Sequence, residues 1–448
     1  MQTVSRRRSV SLQEFDAEIV GLTHDGRGVA RSDGKAVFVR GALPGERVRA
    51  RQTARHRHYD EATTIQVLQA SPDRVEPRCA HFGVCAGCVL QHMDAGKQIE
   101  AKQNVLMENL ERIGHVKPER VLPPVIDAEW GYRRKGRLSV RHVEKKGRTL
   151  VGFREIDPRF VADIKHCDTV IPAIGERIGE IAELIDTLQA KRDIPQIEFI
   201  AGDDGSGKDT VALVVRHLQP LGETDRNALV AFAHRTGLAV LLQPGGVESV
   251  QSLWPESIAL SFSLLEHDVT LAFKPLDFIQ VNAGMNARMI ERTLELLQPE
   301  PQQRVLDLFC GLGNFTLPIA RRVAHIVGVE GNAGLVGRAR ENTRDNNIAN
   351  AEFFAADLGG DLKGEPWLTQ RFDALLLDPP RSGAIEVLRQ LPKHTPPRIV
   401  YVSCHPGSLA RDAEYLVKER GYTLNAAGVM DMFPHTAHVE SIALFERE

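Results

Sequence analysis

From about residue 271 onward, short apolar runs alternate with segments of helical spacing, and this alternation restricts the possible folds more than any other feature. The runs are RVLDLF, HIVGVE, AEFFAAD, DALLLDPP and RIVYVSC. Runs that are apolar at nearly every position, separated by helices, predict a parallel sheet covered on both faces. Ligands of such sheets bind beyond the carboxyl ends of the strands. We therefore expect the chemistry in the residues that follow each run.

The residues that end or follow the first four runs are glycines and acids. The first run leads into DLFCGLGNF (307–315), whose glycines allow a tight turn and a close approach of backbone to a ligand. Glu330 ends the second run, where it can accept from ribose hydroxyls, Asp357 ends the third, near an adenine edge, and Asp378 ends the fourth. This set predicts an S-adenosylmethionine site. Solvated acids at strand ends would explain one or two of the positions, but not all of them.

The fifth run ends in SCHP (403–406), and Cys404 is the candidate nucleophile. A cysteine after a central strand and before a helix is placed where a thiol is exposed and its thiolate is favoured. C5 of uracil is a poor nucleophile until a thiolate adds at C6 and creates an enolate whose C5 attacks a methylsulfonium. A base must then remove the C5 proton, and Glu440 in HTAHVES is the candidate.

Arg381 follows DPP where enzymes that methylate exocyclic amines carry an aromatic residue, which favours carbon methylation. Cys310 is interpreted as a core cysteine.

Three domains are predicted along the chain of 448 residues. Short strands punctuated by Gly, Asp and Pro over residues 11–70 predict a small β-barrel of the OB type. Residues 71–270 mix strands with one helix near 173–190, and GDDGSGKDT (202–210) is interpreted as a loop rather than a phosphate-binding motif. An apolar stripe predicts a core helix over about 97–113. Residues 271–448 form the third domain.

Three of the six cysteines, Cys79, Cys85 and Cys88, are clustered, and Cys167 stands apart. No apolar run is long enough to span a membrane and no secretory signal is visible, so we expect a cytoplasmic protein. Clustered cysteines in a cytoplasmic protein usually bind metal or carry out chemistry. Four thiolates suit zinc and an iron–sulfur cluster equally well on chemical grounds.

The net charge of −3 does not indicate a nucleic-acid partner, but the charge distribution is uneven. The stretch 133–154 contains nine Lys or Arg and one acid, Glu144. Such a block can neutralise RNA phosphates, although a solvated surface is an equally good interpretation of the block alone.

Five segments together resemble the RNA (uracil-C5)-methyltransferase family: FIQVN (278–282), DLFCGLGNF (307–315), LLLDPPRSG (375–383), YVSCHP (401–406) and HTAHVES (435–441). The resemblance implies that Cys404 is the nucleophile, that Glu440 is the base and that Phe278 stacks on a flipped uracil. The resemblance also implies that Asp378 lies between the cofactor and the uracil base. The other implied cofactor contacts are Gln280, Phe309, Asn314, Glu330 and Asp357.

The amino-terminal half extends the resemblance. Residues 11–70 resemble the TRAM domain, an RNA-binding barrel. Cys79, Cys85, Cys88 and Cys167 are similar to the [4Fe–4S] ligands of one branch of the family. A TRAM domain together with that cluster is typical of the branch that acts on 23S ribosomal RNA, in which the helix at about 97–113 packs on the catalytic domain.

The predicted fold class is therefore multidomain α/β. It consists of an OB-like TRAM barrel, a central α+β RNA-binding domain with a four-cysteine iron–sulfur site, and a Rossmann-like methyltransferase domain of class I. The predicted partner is 23S rRNA, with no membrane and no obligate protein partner. The alternatives are a tRNA uracil-C5 methyltransferase and a non-catalytic rRNA-binding assembly factor with a vestigial methyltransferase domain.

Overall fold

The computed structural model describes residues 13–32, 34–203, 209–392 and 396–447. These residues group into two compact units. The first unit contains the chain up to Lys102 together with Pro434–His438, and the second contains Gln103–Phe433 and Val439–Glu448. The predicted division near residue 270 falls inside the second unit, because one apolar core there includes Ile200 and Val214 as well as Val305 and Leu376.

The first unit is built on one six-stranded sheet. Its strands are β1 Glu14–Glu18, β2 Gly21–Leu22, β3 Gly28–Ser32, β4 Lys35–Arg40, β5 Arg47–Arg55 and β6 Tyr59–Gln69. They lie in the order β1-β5-β6-β4-β3-β2. Alternation in β5 shows that one face of the sheet packs on a core: Val48 and Ala50 are buried, whereas the arginines on either side of them face solvent.

Helix α1, Ala95–Arg112, begins in the first unit and ends in the second. Its second half lies against the carboxyl-terminal sheet, where the Gln103 side chain accepts a hydrogen bond from Val429 N at 3.1 Å. Beyond the helix, Gly114 approaches the backbone of Ala410 so closely that a Cβ would stand 2.6 Å from its carbonyl oxygen. A residue with a side chain at this position would therefore push the chain away from the helix that contains Ala410, Pro406–Arg420.

The second unit begins with a mixed region of strands and helices. Its elements are β7 Arg120–Val121, β8 Lys135–Val143, β9 Arg148–Gly152, α2 Pro172–Gly175, α3 Ile178–Thr187, β10 Gln196–Asp203, β11 Asp209–Arg216, α4 Glu223–Thr236, β12 Ala239–Gln243, β13 Gln251–Trp254, β14 Ser261–Leu264 and β15 Val269–Ala272. A six-stranded sheet has the order β13-β12-β11-β10-β8-β9, and β14 and β15 form a separate hairpin. The single helix predicted near 173–190 is two helices, α2 and α3, and α4 was not predicted. The loop predicted over 202–210 falls between β10, which ends at Asp203, and β11, which begins at Asp209. Residues 204–208 lie outside the described residues.

The carboxyl-terminal part of the second unit is built on an eight-stranded sheet. Its elements are α5 Ala283–Leu297, β16 Arg304–Leu308, α6 Thr316–Ala320, β17 His325–Glu330, α7 Ala333–Asp345, β18 Ala351–Ala355, β19 Ala374–Leu377, α8 Ile385–Gln390, β20 Arg398–Ser403, α9 Pro406–Arg420, β21 Thr423–Met430 and β22 Glu440–Glu446. The strand order is β18-β17-β16-β19-β20-β22-β21-β7. Strands β16 to β20 are parallel, as their apolar runs predict, and β22 enters antiparallel to β20. Strand order reverses between β16 and β19, which places a ligand crevice beyond their carboxyl ends.

Within the described residues, no helix is both long and apolar enough to cross a bilayer.

Candidate active site

Cys404 and Glu440 are brought together by the pairing of β20 with β22. Ser403 is paired with Ser441 in antiparallel register, and the Ser441 hydroxyl donates to the Ser403 carbonyl at 3.2 Å. Cys404 follows the last residue of β20, and Glu440 is the first residue of β22. The next position in this register therefore sets the thiol opposite the carboxylate, although 36 positions separate them in the sequence.

The electrostatic surroundings of Cys404 correct one expectation. Helix α9 begins two residues later, yet the thiolate is not favoured. Burial, followed by the charges of Glu440 and Asp378, raises the pKa of the Cys404 thiol to about 11, against the smaller opposing effects of Arg381 and a backbone hydrogen bond. The half-buried position and the two carboxylates raise this pKa more than Arg381 and the backbone hydrogen bond lower it.

A pocket of about 400 Å³, including its open mouth, lies at the crevice between β16 and β19. Four of the six predicted cofactor contacts line it: Gln280, Phe309, Asn314 and Asp378. Phe278 also lines the pocket and is 69% exposed, so one aromatic face is available at the mouth. An exposed phenyl ring beside a polar pocket is suited to stacking on a planar ligand.

The turn after β16 has an unusual backbone. Phe309 has a φ of 67°, a left-handed conformation that is costly for a residue with a Cβ. It is held there because the amides of Phe309 and Cys310 both donate to the Val329 carbonyl, at 2.8 and 3.1 Å. Gly313 has a φ of 98°, and a Cβ there would lie 2.5 Å from Leu317. This turn therefore requires glycine at 313, and it directs backbone towards the pocket.

Glu330 and Asp357 do not belong to the set of residues that line the pocket. Glu330 ends β17 and reaches the turn, because its carboxylate accepts from Gly311 N at 3.2 Å and from Asn332 N at 2.8 Å. Asp357 is exposed two residues beyond β18 and accepts from Gly359 N at 3.0 Å. Both therefore lie at the ends of the strands next to the crevice, at the side away from Cys404 in strand order.

Asn286 on α5 is a site residue that the sequence analysis missed. It is buried and exchanges two side-chain hydrogen bonds with Asn314, at 2.8 and 2.9 Å. The exchange fixes the orientation of the Asn314 amide at the pocket wall. One signal was available in the sequence, because Asn286 lies four residues after Asn282, the helix cap that ends FIQVN.

The DPPRSG loop is held by α9. Asp412, fully buried, accepts from Ala384 N at 2.6 Å and from the Tyr401 hydroxyl at 2.7 Å, and Arg411 donates to the Ser382 carbonyl at 2.7 Å. At the start of this loop, burial among protein atoms raises the pKa of the Asp378 carboxyl to about 7. The loop thus presents at the pocket an acid that is partly protonated near neutral pH.

Cysteines 79, 85 and 88 lie in the first unit and Cys167 lies in the second. All four are partly exposed thiols. Among the described residues, no group of three or more His, Cys, Asp or Glu side chains is arranged to hold a metal ion. Within this segment, Gly87 N donates a hydrogen bond to Cys85 Sγ at 3.4 Å. Cys310 is buried, as predicted.

The fold and the pocket define a methyltransferase that uses S-adenosylmethionine. Comparison with known proteins gives the family: the model of the tRNA (uracil-5-)-methyltransferase family matches residues 181–448, and that of the TRAM domain matches residues 11–64. The chain belongs to this family of RNA uracil-C5 methyltransferases.

Full-length relatives agree with this assignment. The chain is 64% identical to proteins named 23S rRNA (uracil(1939)-C(5))-methyltransferase RlmD from Xanthomonas axonopodis pv. citri, with 98% of this chain and 99% of that protein covered, and from Stenotrophomonas maltophilia strain K279a, with 99% and 100% covered. Among solved structures, the tRNA (uracil-54, C5)-methyltransferase of Pyrococcus abyssi, in complex with S-adenosyl-L-homocysteine, has a similar fold. Its TM-score is 0.72 at 24% identity, with 96% of this chain and 100% of that chain covered.

Proposed function

We propose that this enzyme methylates C5 of one uridine in 23S ribosomal RNA in the cytoplasm, with Cys404 as covalent nucleophile and Glu440 as base. The observation that carries the proposal is the β20–β22 pairing, which sets Cys404 opposite Glu440 close to Asp378 of the pocket. A thiol and a carboxylate in this relation suit addition to C6 and removal of the C5 proton. The substrate follows the names of the full-length relatives.

Each step assigns a bond to a residue. The Cys404 sulfur bonds to C6 of uracil while the C5–C6 π electrons move to O4. C5 then attacks the methyl group that bound S-adenosylmethionine would supply as an electrophile, with S-adenosylhomocysteine as the leaving product. Glu440 accepts the C5 proton, the C5–C6 double bond forms again, and the sulfur leaves C6 as a thiolate. Because the pKa of the thiol without substrate is about 11, the thiol first releases its proton to solvent, and we expect substrate binding to favour the resulting thiolate before addition.

The remaining site residues bind and orient the reactants in this proposal. Phe278 stacks on the flipped uracil at the mouth of the pocket. Asp378 lies between methyl donor and base, and Arg381 provides positive charge beside Cys404. The methyl donor would be held by Gln280, Phe309, Asn314 and Asp378 in the pocket, with Glu330 and Asp357 reaching it from the neighbouring strand ends.

We further propose that Cys79, Cys85, Cys88 and Cys167 ligate a [4Fe–4S] cluster. Four thiols outside disulfides are a suitable donor set, and the amide of Gly87 that donates to Cys85 Sγ is of the kind that tunes cluster thiolates. Four protein thiolates leave no open iron, so the cluster would organise the polypeptide or the RNA.

The test incubates the enzyme with methyl-labelled S-adenosylmethionine and undermethylated ribosomal or transfer RNA, followed by digestion and mass spectrometry of nucleosides. Label in 5-methyluridine at one site of 23S RNA is the expected result. Label in transfer RNA alone would overturn the substrate and keep the chemistry. Label in an N-methylated base would overturn the chemistry, and absence of label would favour the assembly factor.

A further inference from the structure

The basic block 133–154 is not one surface, because its first residues turn inward. The side chain of Arg134, which directly precedes β8, is 6% exposed, whereas that of Arg137 in β8 is 64% exposed and paired with Glu198. Lys135 is also largely enclosed, and burial lowers the pKa of its ammonium to about 8. Two of the nine cations are therefore withdrawn from any phosphate-binding face.

The two inward cations bind main-chain carbonyls of a single segment, residues 275–281. Arg134 Nε donates to the Gln280 carbonyl at 2.9 Å, and Arg134 N donates to the Val281 carbonyl at 2.8 Å. Lys135 Nζ donates to the carbonyls of Pro275, at 3.2 Å, and of Asp277. This segment contains Phe278 and Gln280, which line the pocket.

Arg134 contacts a second part of the pocket wall. Its guanidinium lies 4.6 Å from the ring centroid of Phe262, which also lines the pocket. The carboxylate of Asp203 is 3.9 Å away, and Arg134 Nη2 is buried without a hydrogen-bond partner among the described residues. A cation this poorly neutralised is costly to bury, and a methionine would fill the same volume without that cost.

We propose that Arg134, assisted by Lys135, is a positioning residue that holds Phe262 and the segment 275–281 in the geometry that binds the methyl donor. The proposal depends on the placement of S-adenosylmethionine in this pocket, as proposed above. It predicts that loss of Arg134 weakens donor binding and misplaces Phe278, so that KM for the donor rises and kcat falls while affinity for RNA is retained.

The experiment measures S-adenosylhomocysteine affinity by calorimetry for the full-length variants Arg134→Met, Arg134→Lys and Lys135→Met, with Arg137→Ala, an exposed arginine of the same basic block, as the matched control. We expect a loss of about tenfold or more for Arg134→Met, typical of one charged hydrogen bond. Arg134→Lys should recover part of it, Lys135→Met should lose less, and Arg137→Ala should match the wild type.

Affinity unchanged in folded Arg134→Met would overturn the proposal, as would an equal loss in Arg137→Ala. If Arg134→Met does not fold, an affinity for S-adenosylhomocysteine that is unchanged in both Arg134→Lys and Lys135→Met would also overturn the proposal. Failure of the wild type to bind S-adenosylhomocysteine would instead overturn the placement of the methyl donor.

Discussion

Cys404 and Glu440 face each other because Ser403 pairs with Ser441 across β20 and β22. The nucleophile and the base are thus carried by the ends of two hydrogen-bonded strands, where backbone pairing fixes their separation better than a loop would. The same strand pairing brings the Glu440 carboxylate beside the Cys404 thiol, and the negative charge of the carboxylate disfavours the thiolate form of Cys404. The site is therefore suited to hold Cys404 as a thiol until the substrate arrives.

Removal of the nucleophile should abolish the reaction while binding remains. Cys404→Ala deletes only the sulfur of a half-buried side chain, so we expect methyl transfer to fall by about 10³-fold or more, with RNA and S-adenosylhomocysteine affinities within about twofold of the wild type. Filter binding and calorimetry measure the affinities. The affinities are the control: a Cys404→Ala variant that loses RNA or S-adenosylhomocysteine binding in proportion to its activity would contradict the assignment.

Removal of the base should trap the intermediate. Glu440→Gln leaves addition and methylation possible but prevents removal of the C5 proton, so a covalent enzyme–RNA species should accumulate on ordinary substrate and turnover should fall by about 10²- to 10⁴-fold. A denaturing gel detects the adduct. Glu414→Gln is the control, because Glu414 lies on the outer face of α9 in an ion pair with Lys418. Normal turnover in Glu440→Gln would exclude Glu440 as the base.

Alkylation of Cys404 should follow its raised pKa. Because the pKa of the thiol without substrate is about 11, the rate of alkylation by iodoacetamide should rise about tenfold per pH unit between pH 7 and 9 without a plateau. Glu440→Gln removes a charge that raises this pKa and should accelerate labelling at pH 8 by about threefold or more, whereas Arg381→Met should slow it. Peptide mass spectrometry follows Cys404 specifically. A plateau near pH 7 would mean that the helix N-terminus dominates after all.

Asp307 should make stability depend on pH. Its side chain is fully buried, Oδ2 accepts from the Thr316 hydroxyl at 2.6 Å, and Oδ1 is without a partner among the described residues. Burial raises the pKa of this carboxyl from 3.8 to about 8. A raised pKa means that the folded state holds the proton more tightly, so its stabilising contribution is present at low pH and is lost as pH rises to about 8.

The variant Asp307→Asn cannot ionise and should lose less stability between pH 5 and pH 9 than the wild type. Thermal unfolding at the two pH values measures the difference. Asp268→Asn is the control, since the Asp268 side chain is 98% exposed and should leave the pH dependence unchanged. A variant with the pH dependence of the wild type would mean that Asp307 is ionised in the folded protein.

The cysteine assignment predicts a metal content. Anaerobically purified enzyme should contain about four irons and four acid-labile sulfides per chain and should absorb in the visible range. Cys85→Ser should lose most of the iron, and Cys310→Ser should keep it. One zinc per chain and no labile sulfide would contradict the cluster and indicate a zinc site instead, since four thiolates also suit zinc.

The parallel strands and their functional ends could be predicted from the sequence because apolar runs, turn glycines and terminal acids are local signals. The turn at Gly313 and the capping Asn282 are of this kind. The Arg134–Gln280 contact could not be predicted, because it joins residues 146 positions apart through a main-chain carbonyl, which any residue supplies. The exchange between Asn286 and Asn314 joins residues 28 positions apart, and only the spacing of Asn286 from the capping Asn282 hinted at it.

Charge was the least reliable signal. The block 133–154 suggests one basic surface, yet Arg134, just before β8, turns inward onto Phe262 and the Gln280 carbonyl, and Arg137 in β8 faces outward. The thiolate expected at Cys404 from its position before α9 is disfavoured, because sequence spacing does not reveal that two carboxylates converge on it. Both effects arise from tertiary contacts, which a single sequence does not display.

The most direct test of the central claim uses RNA in which the target uridine is replaced by 5-fluorouridine. Fluorine at C5 cannot be removed as a proton by Glu440, so the methylated adduct should persist through denaturation. Digestion and mass spectrometry should then locate the nucleotide on Cys404, with one methyl group added and no adduct in Cys404→Ala. Methylation of ordinary RNA by an enzyme that forms no adduct with the fluorinated RNA, or an adduct on another residue, would contradict the account.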